Sequence, residues 1–284
     1  MEKYNPIVSV ITVCYNVVSC LKNTIDSVSS QTYSNVEYII IDGKSSDGTV
    51  SIIEENKDKI TTWVSECDEG IYDAMNKGIR MSHGEWLLFM NAGDVFVSND
   101  ILEKLVAEVT PDIRILRGDI IRIYNKIKVR SCGVTSQNPS LMDMFNNTFH
   151  HQASLIQKSL FSDYGLYSTE YKLCSDWIFF FNCVVLHNVK SRYLGMVVAE
   201  FQMDGASTNG ALQYENERKK YLKQIYGDDL FYCLEELSMY RKSRISSLCL
   251  RVRRSIINRL SPKMFCFLLN VKRIGMSFLG CKVN

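Results

Sequence analysis

The feature that most constrains the fold of this 284-residue chain is a repeated alternation of apolar runs and helix-like blocks over its first hundred residues. The apolar runs are rich in Val and Ile, which favour strands, and the blocks between them carry apolar residues at helical spacing. The predicted strands cover residues 7–14, 36–41, 60–64 and 86–90, and the predicted helices cover 21–30, 47–59 and 71–81. Because the strands are apolar on both faces, we expect an α/β fold: a mainly parallel sheet flanked by helices.

Polar residues end each of these four strands, at positions 15–16, 42–43, 66–68 and 91–94. In open α/β sheets ligands bind outside the carboxyl ends of the strands, so the polar residues are expected to face one crevice. Asp42, Asp68 and Asp94 are among them, and Asp176 is expected to join them from a later element. Clustered carboxylates are costly unless they form hydrogen bonds or bind a cation. A divalent ion whose shell is completed by substrate phosphates is a common solution, which indicates a nucleotide diphosphate ligand.

The rest of the chain divides into a less regular middle and a helical end. The predicted elements are a strand pair at 113–124 and 127–131, strands at 153–157 and 192–201, a buried helix at 175–186, and helices from 211 onward with a break near 261. We therefore expect a catalytic domain at 1–209 and a helical extension at 210–284.

The charge of the chain is unevenly distributed. Residues 241–284 contain eleven Lys and Arg and no acidic residue, whereas the preceding 240 contain 22 basic and 31 acidic residues. An apolar stripe at helical spacing in this tail is compatible with packing on the body, but a basic segment with several Phe favours an interfacial helix on an anionic membrane. Nucleic acid is not an expected partner, because the body is acidic and no recognised binding module is present.

The ten cysteines are scattered, contain no CxxC pair and lie mostly in apolar runs. No apolar run reaches the roughly 20 residues that span a bilayer, and the first residues do not resemble a signal peptide. These features predict free thiols and a cytoplasmic protein, peripheral on the inner face of the membrane where the basic tail binds it.

Four segments resemble, in order and spacing, the successive motifs of family 2 glycosyltransferases with the GT-A fold. They are IVSVITVCYN at 7–16, IDGKSSDGT at 41–49, DEGIYDAMNKG at 68–78 and FMNAGD at 89–94. The later HQA at 151–153 and CSDW at 174–177 are similar to bacterial members that build surface polysaccharides. The resemblance covers residues 6–207. It implies an inverting, metal-dependent enzyme that moves a single sugar from a nucleotide-diphosphate sugar, with UDP favoured, to an acceptor hydroxyl.

The resemblance also implies roles for residues of the donor site. Thr12, Tyr15 and Asn16 match the segment that lines the base and ribose of the donor. Asp42 matches the acid that hydrogen-bonds the nucleobase, and Asp68 the position of a second base or ribose contact.

Two further positions carry the implied chemistry. Asp94 matches the last position of the metal motif, where it binds Mn²⁺ or Mg²⁺ between the donor phosphates, and Asn91 begins that motif as a ribose or metal contact. Asp176 matches the general base, which takes the proton of the acceptor hydroxyl in a single inverting displacement.

Several other residues have two interpretations. His151 is a candidate site residue or a structural histidine, and adjacent His150 cannot share one ion with it on a strand, because neighbouring side chains point to opposite faces. Trp177 is a candidate acceptor contact beside the base. Asp47 is expected to cap a helix. Asp73 and Asn76 lie on one helical face close to Lys77, where surface solvation explains them about as well as contact with a phosphate.

Two alternatives to this enzyme remain open from sequence. A sugar nucleotidyltransferase shares the α/β core, but its Gly-rich loop is not evident after the first strand. A non-catalytic nucleotide-sugar-binding or scaffold protein is the other, and the presence of both Asp94 and Asp176 argues against it. The absence of a Gln-x-x-Arg-Trp motif favours single-sugar addition, and the tail favours a lipid-linked glycan acceptor.

Overall fold

The computed structural model describes residues 5–124, 126–202 and 210–242. The chain divides into two compact units, residues 1–228 and 229–284. Residues 210–228 thus belong to the first unit, and the division into a catalytic domain at 1–209 and an extension at 210–284 stays a prediction.

The described part of the first unit contains one nine-stranded sheet, in the order β3-β2-β1-β4-β8-β6-β9-β5, with β7 paired to β6. The strands are β1 Val8–Cys14, β2 Val36–Asp42, β3 Thr62–Ser65, β4 Trp86–Phe89, β5 Val95–Phe96, β6 Ile115–Tyr124, β7 Ile127–Ser131, β8 Ser154–Gln157 and β9 Ser191–Gln202. Strands β1 to β4 are parallel, β8 is antiparallel to both β4 and β6, and β9 is parallel to β6. The predicted α/β fold is confirmed, and the carboxyl ends of β1 to β4, β6 and β9 lie at one edge of the sheet.

Helices connect and cover these strands. They are α1 Leu21–Ser29, α2 Thr49–Glu55, α3 Ile71–Met81, α4 Ile101–Ala107, α5 Leu141–Asn146, α6 Ser159–Tyr164, α7 Ser175–Phe181 and α8 Ala211–Lys242. Short 3₁₀ segments occur at Lys57–Lys59 and His151–Ala153, and a π-helical segment at Asn182–Leu186 continues α7. Helix α8 is interrupted at Gly227, where φ is 74°. None of the helices in the described ranges is both long and apolar enough to cross a membrane.

The central strands are buried on both faces because helices pack on each side of the sheet. Every residue of β1 is buried. Helix α3 approaches β1 closely at Gly78, where a Cβ atom would lie 2.5 Å from Cγ2 of Ile11. This contact brings the first turn of α3 to the carboxyl edge of the sheet.

The first part of α8 holds the segment that leads into α7. The carboxylate of Glu217 accepts hydrogen bonds from the backbone N–H groups of Lys172 (3.1 Å) and Leu173 (2.9 Å). The hydroxyl of Tyr221 donates to Oδ1 of Asn182, at the end of α7. Both ends of the segment that carries Asp176 are therefore attached to α8.

Candidate active site

The crevice at the carboxyl edge begins with Asp42, the last residue of β2. Its carboxylate is fully buried and accepts hydrogen bonds from the N–H of Ser45 (2.9 Å), the hydroxyl of Ser45 (2.5 Å) and the hydroxyl of Ser65 (2.6 Å). These bonds fix the loop after β2 to the end of β3. Asp42 thus shapes the floor of the crevice, and its contact with a nucleobase stays a prediction.

The side chains of Asp68 and Tyr15 both lie next to Gly43. A Cβ atom on Gly43 would lie 2.5 Å from Oδ2 of Asp68 and 3.3 Å from Cδ2 of Tyr15. The ring of Tyr15 is 64% exposed, and Oδ1 of Asp68 accepts from the N–H of Gly70 at 2.9 Å. An exposed aromatic ring is suited to stacking on a nucleobase. The carboxylate beside it is suited to accepting a hydrogen bond from the nucleoside.

We expect Gly43→Ala to weaken nucleotide binding about tenfold, because the added methyl displaces the Asp68 carboxylate and costs a charged hydrogen bond. Calorimetric titration with the cognate nucleoside diphosphate measures the loss. In an Asp68→Ala background the same change is expected to cost little more, since the carboxylate that it displaces is already gone. Equal losses in both backgrounds would contradict this role for Asp68.

Thr12 and Asn16 form different hydrogen bonds at the wall of the crevice. Thr12 is fully buried, and its hydroxyl donates to the carbonyl of Met90 at 2.7 Å. The hydroxyl is thus taken up by the backbone after β4, and the contact of Thr12 with the donor stays a prediction. Asn16 has a φ of 51° and its Oδ1 accepts from the N–H of Ser46 at 2.9 Å, so it holds the loop after β2.

The same loop is held by Asp47, which precedes the N-cap residue of α2, Gly48, and so is not the cap itself as predicted. Its carboxylate accepts from the N–H of Thr49 (2.9 Å), the first residue of α2, and from the N–H of Val18 (3.0 Å). The bond to Val18 was not predicted, and it joins the start of α2 to the segment after β1.

Asp176 lies in the first turn of α7, where two side chains from distant elements bind its carboxylate. The hydroxyl of Tyr72, in the first turn of α3, donates to Oδ1 at 2.8 Å. Nδ1 of His151 lies 2.9 Å from Oδ2. The side chains of Asp176 and His151 are only 14% and 20% exposed. The structure therefore brings together two predicted site residues and adds Tyr72.

The three groups set one another's ionisation. Burial alone would raise the pKa of Asp176, but the hydrogen bond and charge of His151 and the hydrogen bond from Tyr72 outweigh it, so the pKa lies below its usual value. Burial would lower the pKa of His151, but the hydrogen bond and charge of Asp176 raise it overall. Burial and the charge of Asp176 raise the pKa of Tyr72 well above its usual value, so its hydroxyl stays protonated. Asp176 is thus ionised at neutral pH, as a general base must be.

The turn after β4 carries two buried oxygens that have no partner, Oδ1 of Asn91 and Oδ2 of Asp94. Nδ2 of Asn91 lies 3.1 Å from Nε2 of His151, so its amide group connects this turn to the Asp176 cluster. Asp94 is 3% exposed, and burial raises its pKa to about 7 against the opposing charge of His151. The hydroxyl of Thr24 fixes the turn by donating to the carbonyl of Asp94 and accepting from the N–H of Gly93, each at 2.9 Å.

These two oxygens fit a divalent cation. Buried polar atoms are rarely left without partners, and hard cations prefer oxygen ligands, with one or two carboxylates plus substrate phosphates. In the parts of the chain that the structure describes, no group of three His, Cys, Asp or Glu forms a self-sufficient metal site. Asp94 and Asn91 therefore suit an ion that the donor phosphates help to bind.

Trp177 is fully buried, which corrects the prediction that it contacts an acceptor. Its Nε1 donates to the carbonyl of Met144 at 2.9 Å, and the guanidinium of Arg218 lies 4.4 Å from its ring centroid. Trp177 is thus a core residue next to Asp176 in α7, and it has no exposed surface that a sugar could contact.

The remaining ambiguous residues are structural. Asn76 is buried and bonds the backbone of Tyr167 through both ends of its amide, at 2.7 and 3.0 Å. Asp73 accepts from the N–H of Glu69 at 3.2 Å. His150 is buried against the hydroxyl of Ser131 (3.2 Å), and burial lowers its pKa to about 4, so it is neutral.

Sequence reasoning assigned no role to Tyr72, although the residue lies within the motif DEGIYDAMNKG. The available signal was a hydroxyl-bearing residue in the first turn of a helix that follows a strand end. Its partner Asp176 is 104 residues away, so no local pattern joins the two.

Comparison with known proteins agrees with this geometry. Residues 9–130 match the family model described as glycosyl transferase family 2. A PGL/p-HBAD biosynthesis glycosyltransferase of Mycobacterium bovis is 29% identical over 228 residues, covering 78% of this chain and 84% of that protein. An uncharacterized glycosyltransferase of Mycobacterium tuberculosis is 28% identical over 211 residues, covering 72% and 78%.

Solved structures show the same fold. S. aureus TarS 1-349 in complex with UDP-GlcNAc superposes with a TM-score of 0.63 at 15% identity, covering 87% of this chain and 76% of that one. The mannosyltransferase PcManGT from Pyrobaculum calidifontis, in complex with GDP-Man and Mn2+, superposes with a TM-score of 0.62 at 16% identity, covering 96% and 81%. The arrangement of the sheet, the family model and the named relatives agree: the chain has the GT-A fold of glycosyltransferases, and its residues 9–130 match glycosyl transferase family 2.

Proposed function

We propose that this glycosyltransferase transfers a single sugar, with inversion and with a divalent cation, from a nucleotide-diphosphate sugar to an acceptor hydroxyl in bacterial surface polysaccharide synthesis. The observation that carries the proposal is the continuous set of side-chain contacts from Tyr72 through Asp176 and His151 to Asn91, beside the unpartnered oxygen of Asp94. It joins an ionised base to a cation site.

Asp176 acts as the base in this mechanism. The acceptor oxygen attacks the anomeric carbon of the donor while its proton passes to the Asp176 carboxylate, and the bond between that carbon and the diphosphate oxygen breaks on the opposite face. The diphosphate leaves with the electron pair, so the anomeric configuration is inverted. Although Tyr72 and His151 each occupy one position on the carboxylate, each oxygen has two lone pairs, so Asp176 can still accept the acceptor proton.

Asp94 and Asn91 hold the cation in this proposal. Mn²⁺ or Mg²⁺ bound there would supply positive charge to stabilise the leaving diphosphate. Asp94, whose pKa is raised to about 7 in its buried site, would hold the ion in its ionised form.

The proposal also specifies the donor and the acceptor. UDP-sugars are favoured, and TarS, which binds UDP-GlcNAc, is one structural neighbour, but another neighbour binds GDP-Man. A lipid-linked glycan at the inner face of the membrane is the proposed acceptor. Its support is the motif resemblance and the basic segment 241–284, of which residues 243–284 lie outside the described residues.

The first test is thermal unfolding against UDP, GDP, dTDP and CMP, each with and without Mn²⁺. We expect one nucleotide to raise Tm and Mn²⁺ to enlarge that rise, because a ligand that binds only the folded state stabilises it by mass action. A variant with exposed Asp58 changed to Asn serves as a matched control and is expected to respond as the native protein does. No rise with any nucleotide would contradict a working donor site.

A further inference from the structure

We infer that the hairpin of β6 and β7 carries a second surface, which docks on an anionic lipid bilayer and turns the acceptor side of the crevice toward it. The surface consists of Tyr124, Ile127 and Val129, and is called the hairpin face below. It is distinct from the basic tail, and it rests on the proposed function only in that a lipid-linked acceptor would be reached there.

The register of the sheet places the hairpin at the edge that carries the active site. Ile156 pairs with both Leu87 of β4 and Ile115 of β6, so these two residues lie at the same level of the sheet. Strand β4 ends two residues later, at the level of Arg117, whereas β6 continues for seven more residues to Tyr124. At about 3.3 Å per residue, the hairpin projects roughly 20 Å beyond the end of β4.

The hairpin also lies on the side of the crevice that holds the proposed base. Ser131, the last residue of β7, has its hydroxyl 3.2 Å from the ring of His150. The next residue, His151, contacts Asp176. A bilayer against the hairpin would therefore face the acceptor side of the site.

The hairpin face is apolar and exposed. Tyr124, Ile127 and Val129 are 39%, 66% and 48% exposed. Tyr124 pairs directly with Ile127, and Val129 pairs with Arg122. Since residues opposite each other in an antiparallel pair share a face of the sheet, the three apolar side chains form one patch.

The positive charge of the hairpin favours an anionic bilayer as the partner of this patch. Residues 122–131 contain four basic residues (Arg122, Lys126, Lys128 and Arg130) and no acidic one. Arg122 lies on the same face as the patch and Lys126 lies in the turn beside it, whereas Lys128 and Arg130 lie on the opposite face of the hairpin and bond Glu200 and Asp119. An apolar patch bordered by cations suits the interface of an anionic bilayer, where long basic side chains reach the headgroups. Pairing of β7 with a second copy is disfavoured, because it would bring like charges together on an edge strand.

The test is co-sedimentation of the full chain with vesicles of phosphatidylglycerol and phosphatidylethanolamine, compared with phosphatidylcholine vesicles. Changing both Ile127→Thr and Val129→Thr keeps β-branched side chains and is expected to lower binding to the anionic vesicles at least tenfold. The matched control is Ile7→Thr, which removes an exposed apolar side chain (41% exposed) just before the amino end of β1, at the opposite edge of the sheet. We expect the control to bind as the native protein does.

A positive readout comes from Ile127→Trp, whose fluorescence is expected to shift to shorter wavelength with anionic vesicles, and less in high salt because charge attraction is screened. Unchanged vesicle binding by the double variant, or no shift for the tryptophan variant, would overturn the inference. Self-association of the native chain that the double variant abolishes without vesicles would also overturn it, by assigning the patch to a second copy.

The nucleotide-dependent rise in Tm separates this inference from the proposed function. The double variant is expected to keep that rise, because the hairpin face contacts none of the donor-site residues. If the double variant loses vesicle binding but no nucleotide raises the Tm of the native protein, the hairpin inference stands and the proposed function is refuted.

Discussion

Replacing Asp176 with asparagine is expected to lower kcat by about 10²- to 10⁴-fold, the usual worth of a general base. Asparagine keeps the size of the side chain and an oxygen that accepts from Tyr72, but it cannot take the acceptor proton. Donor binding is expected to change little, so KM for the donor stays near the native value. Release of nucleoside diphosphate, followed with saturating acceptor, measures both parameters.

Tyr72→Phe is the matched control for this variant. It keeps the ring and removes the hydroxyl that donates to Asp176 at 2.8 Å. Because that hydrogen bond lowers the pKa of Asp176, its loss raises this pKa, and the acidic limb of the kcat/KM profile is expected to move to higher pH. Native turnover by the Asp176→Asn enzyme would show that another group takes the proton.

Replacing Asp94 with asparagine is expected to abolish the part of the nucleotide-dependent rise in Tm that needs Mn²⁺. The change removes the only carboxylate of the proposed cation site, and with it the charge stabilisation of the leaving diphosphate. A fall in kcat/KM of about 10²- to 10³-fold is the magnitude expected for such a term. A full Mn²⁺ response in the variant would place the cation elsewhere.

The ligand-free protein provides an independent test of the Asp94 site. The pKa of Asp94 rises from 3.8 to about 7 on folding, so the folded state resists its ionisation and the native protein loses stability as the pH rises to about 7. Asparagine carries no charge, so Asp94→Asn is expected to raise Tm by several degrees at pH 8. The difference should shrink as the pH falls below 7 and vanish near pH 4. Asp58→Asn, which changes an exposed carboxylate, is the control in the same unfolding measurements.

The elements that depend on local pattern were predicted closely. Strand β1 was expected at 7–14 and is Val8–Cys14, and α3 was predicted with its observed bounds, Ile71–Met81. Helix α3 repeats its buried positions at helical spacing because it packs one face on the sheet, and β1 is a continuous apolar run because both of its faces are buried. Strand β5 has only two residues and was not predicted. It exists because Val95 and Phe96 pair with β9, a contact that no short stretch of sequence encodes.

The site divides in the same way. The aspartates that follow strands could be found from sequence, since a strand end and the side chain after it are a local feature, and parallel strands bring their carboxyl ends to one edge. Which of the motif side chains are buried could not be predicted from sequence. Thr12 and Trp177 fall in the expected motifs, but neighbours from distant parts of the chain, Met90 and Met144, take up their polar groups.

The sequence by itself thus determined the class of fold, the resemblance to family 2 glycosyltransferases and the row of carboxylates at the sheet edge, because periodicity and motif spacing are properties of consecutive residues. Only the tertiary structure decided which groups set the ionisation of Asp176 and which oxygens were left without partners. Those outcomes depend on contacts between elements far apart in the chain, such as Tyr72 with Asp176, and on the desolvation that packing imposes on Asp94. Charge and hydrogen bonding in a buried site are set by all of the neighbours together, and the neighbours are known only once the chain is folded.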